Sequence, residues 1–284
     1  MKSDLMTPKE RWTAVLKMEK PDRVPLFWTA TPETTANIKK YLRISDNEEL
    51  FTILHIDKVV YAYPAYAGPN LPKDTDIFAC RCKNVSYGSG VYAECVYHPL
   101  AQYKTIEEVK KNYKFPTIDW FDFSNIKKQI QNKENLPIYG GGMEIFLIYA
   151  NLRGREKAMI DLVENPEMVD WCLENIFQLY YKITMGVYDE IPGKVLLTGV
   201  SEDLGSQDNL LFSPACIRKF ILPRMKKMMR LVHENNAYVM THSDGAIRDI
   251  IPDLIECGMN MLDPVQWRCK GMEREALKRD FGNK

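Results

Sequence analysis

The 284-residue sequence has no excess of either charge, since 38 Lys and Arg face 38 Asp and Glu. Without surplus cations nothing displaces the counterions of a nucleic acid or draws the chain to an anionic membrane, so neither is expected as a partner. No apolar run approaches the roughly 20 residues that a membrane-spanning helix needs. The segment from Met1 to Glu10 is polar and charged, without the apolar stretch of a secretion signal. The seven cysteines, an odd number with no export signal, read as reduced thiols of a cytoplasmic protein. There is no internal repeat, low-complexity tract or flexible linker. What is present is a globular composition, 45% hydrophobic and 27% charged, which excludes disorder as the main state. The length suits one large domain, taken as residues 1–284.

Apolar runs recur along the chain and read as six strands: Val24 to Trp28, Asp57 to Tyr63, Pro137 to Gly142, Lys194 to Val200, Ala237 to His242 and Asn260 to Asp263. Helical patterns separate most of them. Thr7-Pro8-Lys9-Glu10 has the cap, first-turn proline and closing glutamate of a helix start. Pro166 to about Ile191 is a long helix with Met168, Val169, Cys172, Ile176 and Leu179 on one face. Ser213-Pro214 opens another that runs past Pro223 to about Asn235, and Ile247 to Cys257 ends at Gly258. Glu273 to Phe281 is the last, and Thr105 to Asn112 and Ser124 to Asn132 are shorter stretches. Strands alternating with helices predict a parallel sheet, because a parallel connection needs a crossover. Ile77 to Tyr97 breaks the rhythm and reads as an inserted β-hairpin, about residues 76–98.

The carboxyl ends of parallel strands converge on one face, where such folds hold their sites. The polar clusters fall there: Trp28; Tyr61, Tyr63 and Tyr66; Gly140-Gly141-Gly142 and Glu144; Glu202, Asp203 and Gln207; His242-Ser243-Asp244-Gly245; Asp263 and Gln266. His242 and Asp244 offer a nitrogen and an oxygen to one divalent metal, or form an acid–base pair. Asp244 serves equally well as the cap of the next helix. Glu202-Asp203 is a solvated turn or a functional pair, since adjacent carboxylates behind an apolar strand are costly unless hydrated, paired or used. The glycine run lets a ligand approach closely or is only a turn. Cys80, Cys82 and Cys95 lack the spacing of a structural zinc site and read as buried thiols, as helix packing does for Cys172, Cys216 and Cys257.

The stretch from Thr7 to Trp28 (TPKERWTAVLKMEKPDRVPLFW) and the series Glu202-Asp203-Leu204-Gly205-Ser206-Gln207, Ser213-Pro214, Pro223-Arg224, His242-Ser243-Asp244-Gly245, Ile251 to Ile255 and Asp263-Pro264-Val265-Gln266 resemble the uroporphyrinogen decarboxylase-like superfamily. That resemblance implies a TIM-type (β/α) barrel with its site at the carboxyl ends. It implies either decarboxylation or transfer of a methyl group between a small methylated donor and a corrinoid protein, with zinc as the metal of the methyltransferases. The arginine-bearing segment of the decarboxylase is replaced by Phe27-Trp28-Thr29-Ala30-Thr31, which favours the methyltransferase branch. Asp244 stands where those enzymes carry a cysteine. The family continues with two more strands beyond Lys284, so the expectation is a barrel lacking its last two βα units, or one whose gap a partner or second copy covers. On this reading His242, Asp244, Glu202, Asp203 and Glu144 are catalytic, with His242 and Asp244 as metal ligands. Trp28, Tyr61, Tyr63, Tyr66, Gln207 and Gln266 bind substrate. A decarboxylase using Arg153 and Arg248, and a catalytically inactive barrel acting as a binding partner, are the alternatives.

Overall fold

The computed structural model describes residues 4–283. Five strands form one parallel sheet: β1 (Val60–Ala62), β2 (Ile138–Met143), β3 (Leu197–Val200), β4 (Tyr238–His242) and β5 (Met261–Asp263), paired in that order. β3 is buried along its whole length, which suits its unbroken apolar run. Among the described residues β1 and β5 each pair with one neighbour in this sheet, so the sheet is open. The fold is mixed α/β. No helix among the described residues is long and apolar enough to cross a membrane.

The Pro166–Glu190 helix packs on the outer face of β2 and β3. The Tyr188 hydroxyl and Thr198 Oγ1 lie 2.7 Å apart, and Thr184 Oγ1 accepts the Gly142 N–H at 2.9 Å. The segment expected as a helix from Ser213 to Asn235 is a short α-turn, a π-turn over Ile217–Ile221 and the Leu222–Glu234 helix. Pro223 has no N–H to give, and the π-turn accommodates the missing bond. From the stretch Ser124 to Asn132 only Ile126–Gln129 is helical. An antiparallel hairpin joins Arg81–Ser86 to Val91–Tyr97, with Cys82 opposite Cys95. All seven cysteines are free. Cys80 and Cys172 are buried; Cys82, Cys95, Cys216 and Cys257 are only half-buried.

The strand expected at Val24 to Trp28 does not form. Pro21 and Pro25 supply no ladder donors, and Val24, Leu26 and Phe27 remain exposed. Charge holds this segment instead. The fully buried Arg11 pairs with Asp57 and, at 2.6 Å, with Asp22. Asp57 also accepts from Arg23 at 2.7 Å and from the Leu26 N–H at 2.8 Å. Trp12, from the Pro8–Leu16 helix, packs with Leu196 and Leu197 and against Tyr139, Tyr238 and Met261, filling the amino end of the sheet.

Candidate functional site

Strand register builds the site. Tyr139, Leu197 and Tyr238 pair across β2, β3 and β4, and one pleat further Gly142, Gly199 and Met240 do the same. At the next pleat His242 lies beside Asp263, while the Ser201 N–H bonds the Met143 carbonyl at 2.9 Å. Side chains alternate between faces, so Glu144, Ser201, His242 and Asp263 fall on the inner rim. The sequence reading placed Glu202 there too, and the structure corrects it. Glu202 is one residue on from Ser201 and points to the helix side, 1% exposed. Its carboxylate accepts the N–H groups of Ile145, Phe146 and Leu147 at 3.0, 2.7 and 3.1 Å. Those are orphan donors of the Ile145–Arg153 helix, so Glu202 anchors that helix. Burial pushes its carboxyl up to about 8, against the pull of the three amides.

His242 is the centre of the rim. Its Nε2 lies 3.4 Å from Asp203 Oδ1 and its Nδ1 3.5 Å from Asp263 Oδ2. These are long for hydrogen bonds, so neither aspartate binds the ring tightly. Asp203, Asp263 and the Asp244 charge raise His242 to about 10 against the effect of burial, which makes it an imidazolium at neutral pH. His242 in turn holds Asp203 below the usual carboxylate range. Asp244 is not a helix cap, because the turn over Arg248–Ile250 follows Ile247 with no side-chain cap. Donor atoms of Asp203, His242 and Asp244 all lie within 4.8 Å of one another. The 3.4 Å between His242 and Asp203 matches the edge, about 3.3 Å, of a tetrahedron with 2.0 Å bonds. One imidazole nitrogen and two carboxylate oxygens thus fit a divalent cation. No cysteine belongs to a metal-spaced group among the described residues.

Beside this rim opens a cleft of about 460 Å³ lined by Tyr63, Tyr139, Glu144, Tyr180, Phe121 and Ser201, among others. Tyr61 stacks on Tyr63 at 6.3 Å and leans on Tyr139 at 5.3 Å. Burial pushes the phenols of Tyr63 and Tyr139 well up, so both keep their protons and remain donors. Burial, with the Asp203 charge, also raises Glu144, and His242 opposes it. The cleft and the histidine therefore share one field. Gly142 and Gly199 make the room: a methyl group on Gly199 would stand 1.8 Å from the Tyr139 hydroxyl. Tyr139 was missed from the sequence; its place in the alternation after Pro137, facing a glycine on the next strand, is the signal that finds it.

Four expected substrate residues lie elsewhere. Trp28 sits in the irregular segment before β1 and lines no part of this cleft. The Tyr66 hydroxyl donates to Pro69 at 2.6 Å, and its ring meets Trp120 and Phe121 edge-on. Gln266 accepts the Gly245 N–H at 2.7 Å, which fixes the loop after His242. The buried Cys269 sulfur lies 3.4 Å from the side-chain oxygens of both Gln207 and Gln266, and its single S–H can donate to either. Arg153 and Arg248 are also committed. Arg153 binds Asp161 and two carbonyls, and Arg248 binds Asp280 and the Gly271 carbonyl. The exposed Arg155 is a further cation, after His242, whose charge reaches Asp203.

The chain matches no protein-family model, and no curated protein matches it. Its fold is similar to that of a methyltransferase from Methanosarcina mazei, with a TM-score of 0.58 and 17% identity over 90% of this chain and 75% of that one.

Proposed function

We propose that this chain is a methyltransferase, and a member of the uroporphyrinogen decarboxylase-like superfamily in its corrinoid-linked branch. The observation that carries the reading is His242, held loosely between Asp203 and Asp263 at the lip of an aromatic cleft. A small methylated donor sits in the cleft, its methyl carbon toward the opening and its heteroatom toward the rim. As the carbon–heteroatom bond breaks, the heteroatom keeps the electron pair. His242 faces that growing charge with an N–H, and the aspartates keep the ring oriented and charged. Tyr63 and Tyr139 donate from the wall and exclude water. A corrinoid on a partner protein would supply the nucleophile that receives the methyl group. Zinc, held by Asp203, Asp244 and a His242 that has given up its proton, would instead supply a Lewis acid at the same rim. The decarboxylase alternative needs cations in the mouth, and Arg153 and Arg248 are occupied elsewhere.

Two measurements test this. His242→Ala should abolish methyl transfer from a panel of methylated donors to a reduced corrinoid, followed by the absorbance of the corrinoid, while circular dichroism stays unchanged. Full activity in that variant refutes the role. Zinc content after equilibration with the metal should be close to stoichiometric in the parent and lost in both His242→Ala and Asp244→Ala. A parent without zinc removes the Lewis acid and leaves His242 as proton donor alone.

A further inference from the structure

Glu144 is a half-buried carboxylate with no side-chain hydrogen bond or ion pair among the described residues. It is also the charged residue of the aromatic cleft; the rest of the lining is aromatic, aliphatic, glycine, proline or Ser201. No Lys or Arg lines that space. Asp203 makes ionisation of Glu144 harder, and the one opposing charge, His242, sits between Asp203 and Asp263. Tyr139 lies within the influence of Asp263 as well. An unpaired carboxylate in an aromatic pocket is costly to keep unless a cation joins it. Aromatic faces and a carboxylate together are the chemistry that recognises alkylated ammonium groups. A neutral methoxyarene leaves Glu144 without a partner, and an aromatic acid is repelled by it.

We propose that the cleft of Tyr63, Tyr139, Tyr180 and Phe121 binds a methylated ammonium ion, with Glu144 as its counter-ion. As a binding site it stands on the cleft alone; as a donor site it rests on the methyl-transfer reading above. For such a donor the C–N bond breaks with its pair on nitrogen. The nitrogen leaves as a neutral amine, and the methyl carbon bonds to the electron pair of the acceptor. No proton is consumed, and the His242 N–H can receive the lone pair that appears.

The test is calorimetric titration of the full chain with choline and with 3,3-dimethylbutan-1-ol, its uncharged isostere. Choline should bind roughly tenfold or more tightly than the alcohol. Glu144→Gln keeps the shape of the side chain; it should erase that difference by weakening choline alone. Tyr63→Leu, at a partly exposed ring, should weaken choline several-fold without shifting the melting temperature. Equal affinity for choline and the alcohol overturns the proposal, as does a Glu144→Gln variant that binds choline as well as the parent. Tighter binding of vanillate than of choline overturns it too. Choline binding without methyl transfer to any acceptor would leave this inference standing and sink the proposed function. Methyl transfer from a neutral donor, indifferent to Glu144→Gln, would do the reverse.

Discussion

Removing the Glu202 carboxylate strips three amides at the start of the Ile145–Arg153 helix, two of them buried and one half-buried, of their acceptor. Each orphaned buried donor costs about 1–3 kcal/mol, so Glu202→Ala should lower stability by about 3 kcal/mol or more, read from urea unfolding. Glu202→Gln keeps one carbonyl acceptor and should cost less. Both variants should leave zinc binding at the proposed site unchanged in the fraction that folds, because the carboxylate lies on the other face from His242. Asp203→Asn, at its neighbour in the chain, should behave oppositely and lose zinc binding at the proposed site. The cluster Ser201-Glu202-Asp203 was visible in the sequence as a concentration of polar groups behind an apolar strand. Which of the two acids faced the rim was not, because a shift of one residue moves a side chain to the other face.

The glycine-rich end of β2 is a bulge that also lines the cleft. Gly141 and Gly142 have φ of +69° and +122°, and a methyl group on Gly142 would stand 2.3 Å from the Gly199 carbonyl oxygen. The pairing slips between Tyr139 and Gly142, and that slip sets Glu144 at the rim. Gly142→Ala should therefore destabilise by roughly 2 kcal/mol or more and widen the distance between Glu144 and His242, measured by unfolding and by loss of choline binding. The helices behind the bulge depend on another buried carboxylate. Asp161, 2% exposed, accepts from Arg153 at 2.6 Å, from the Tyr149 hydroxyl at 2.8 Å and from Asn165 at 2.8 Å. Burial raises its pKa, but these three partners outweigh burial and leave it lowered. A carboxyl depressed on folding contributes stability that is complete above its ordinary value, about 3.9, and is lost as the pH falls through the lower folded value. Urea midpoints should drop between about pH 5 and about pH 3, and less so in Asp161→Asn. Asp161→Ala, which leaves Arg153 buried without a counter-charge, should cost about 3–5 kcal/mol at neutral pH.

At the scale of the whole molecule the sheet is held most firmly at its middle. β3 pairs on both sides and is buried throughout, while β1 and β5 are edges of three residues each. Native-state hydrogen exchange should find the amides of Leu197–Val200 slowest and those of Val60–Ala62 and Met261–Asp263 several orders of magnitude faster; equal protection across the sheet would contradict that order. The sequence by itself determined the parallel α/β arrangement, since apolar runs separated by helical patterns leave few other ways to bury both. It also determined that His242, Asp203 and Asp244 fall near strand ends. Only the tertiary structure decided that Val24 to Trp28 would be a charge-held strap, because Arg11 and Asp57 lie 46 residues apart and no local pattern links them. It alone decided that Tyr139 would close the cleft, that Trp28, Tyr66, Gln207 and Gln266 would stand aside, and that Glu144 would be left without a partner among the described residues. Those outcomes depend on register and on contacts between distant segments, which local composition does not encode.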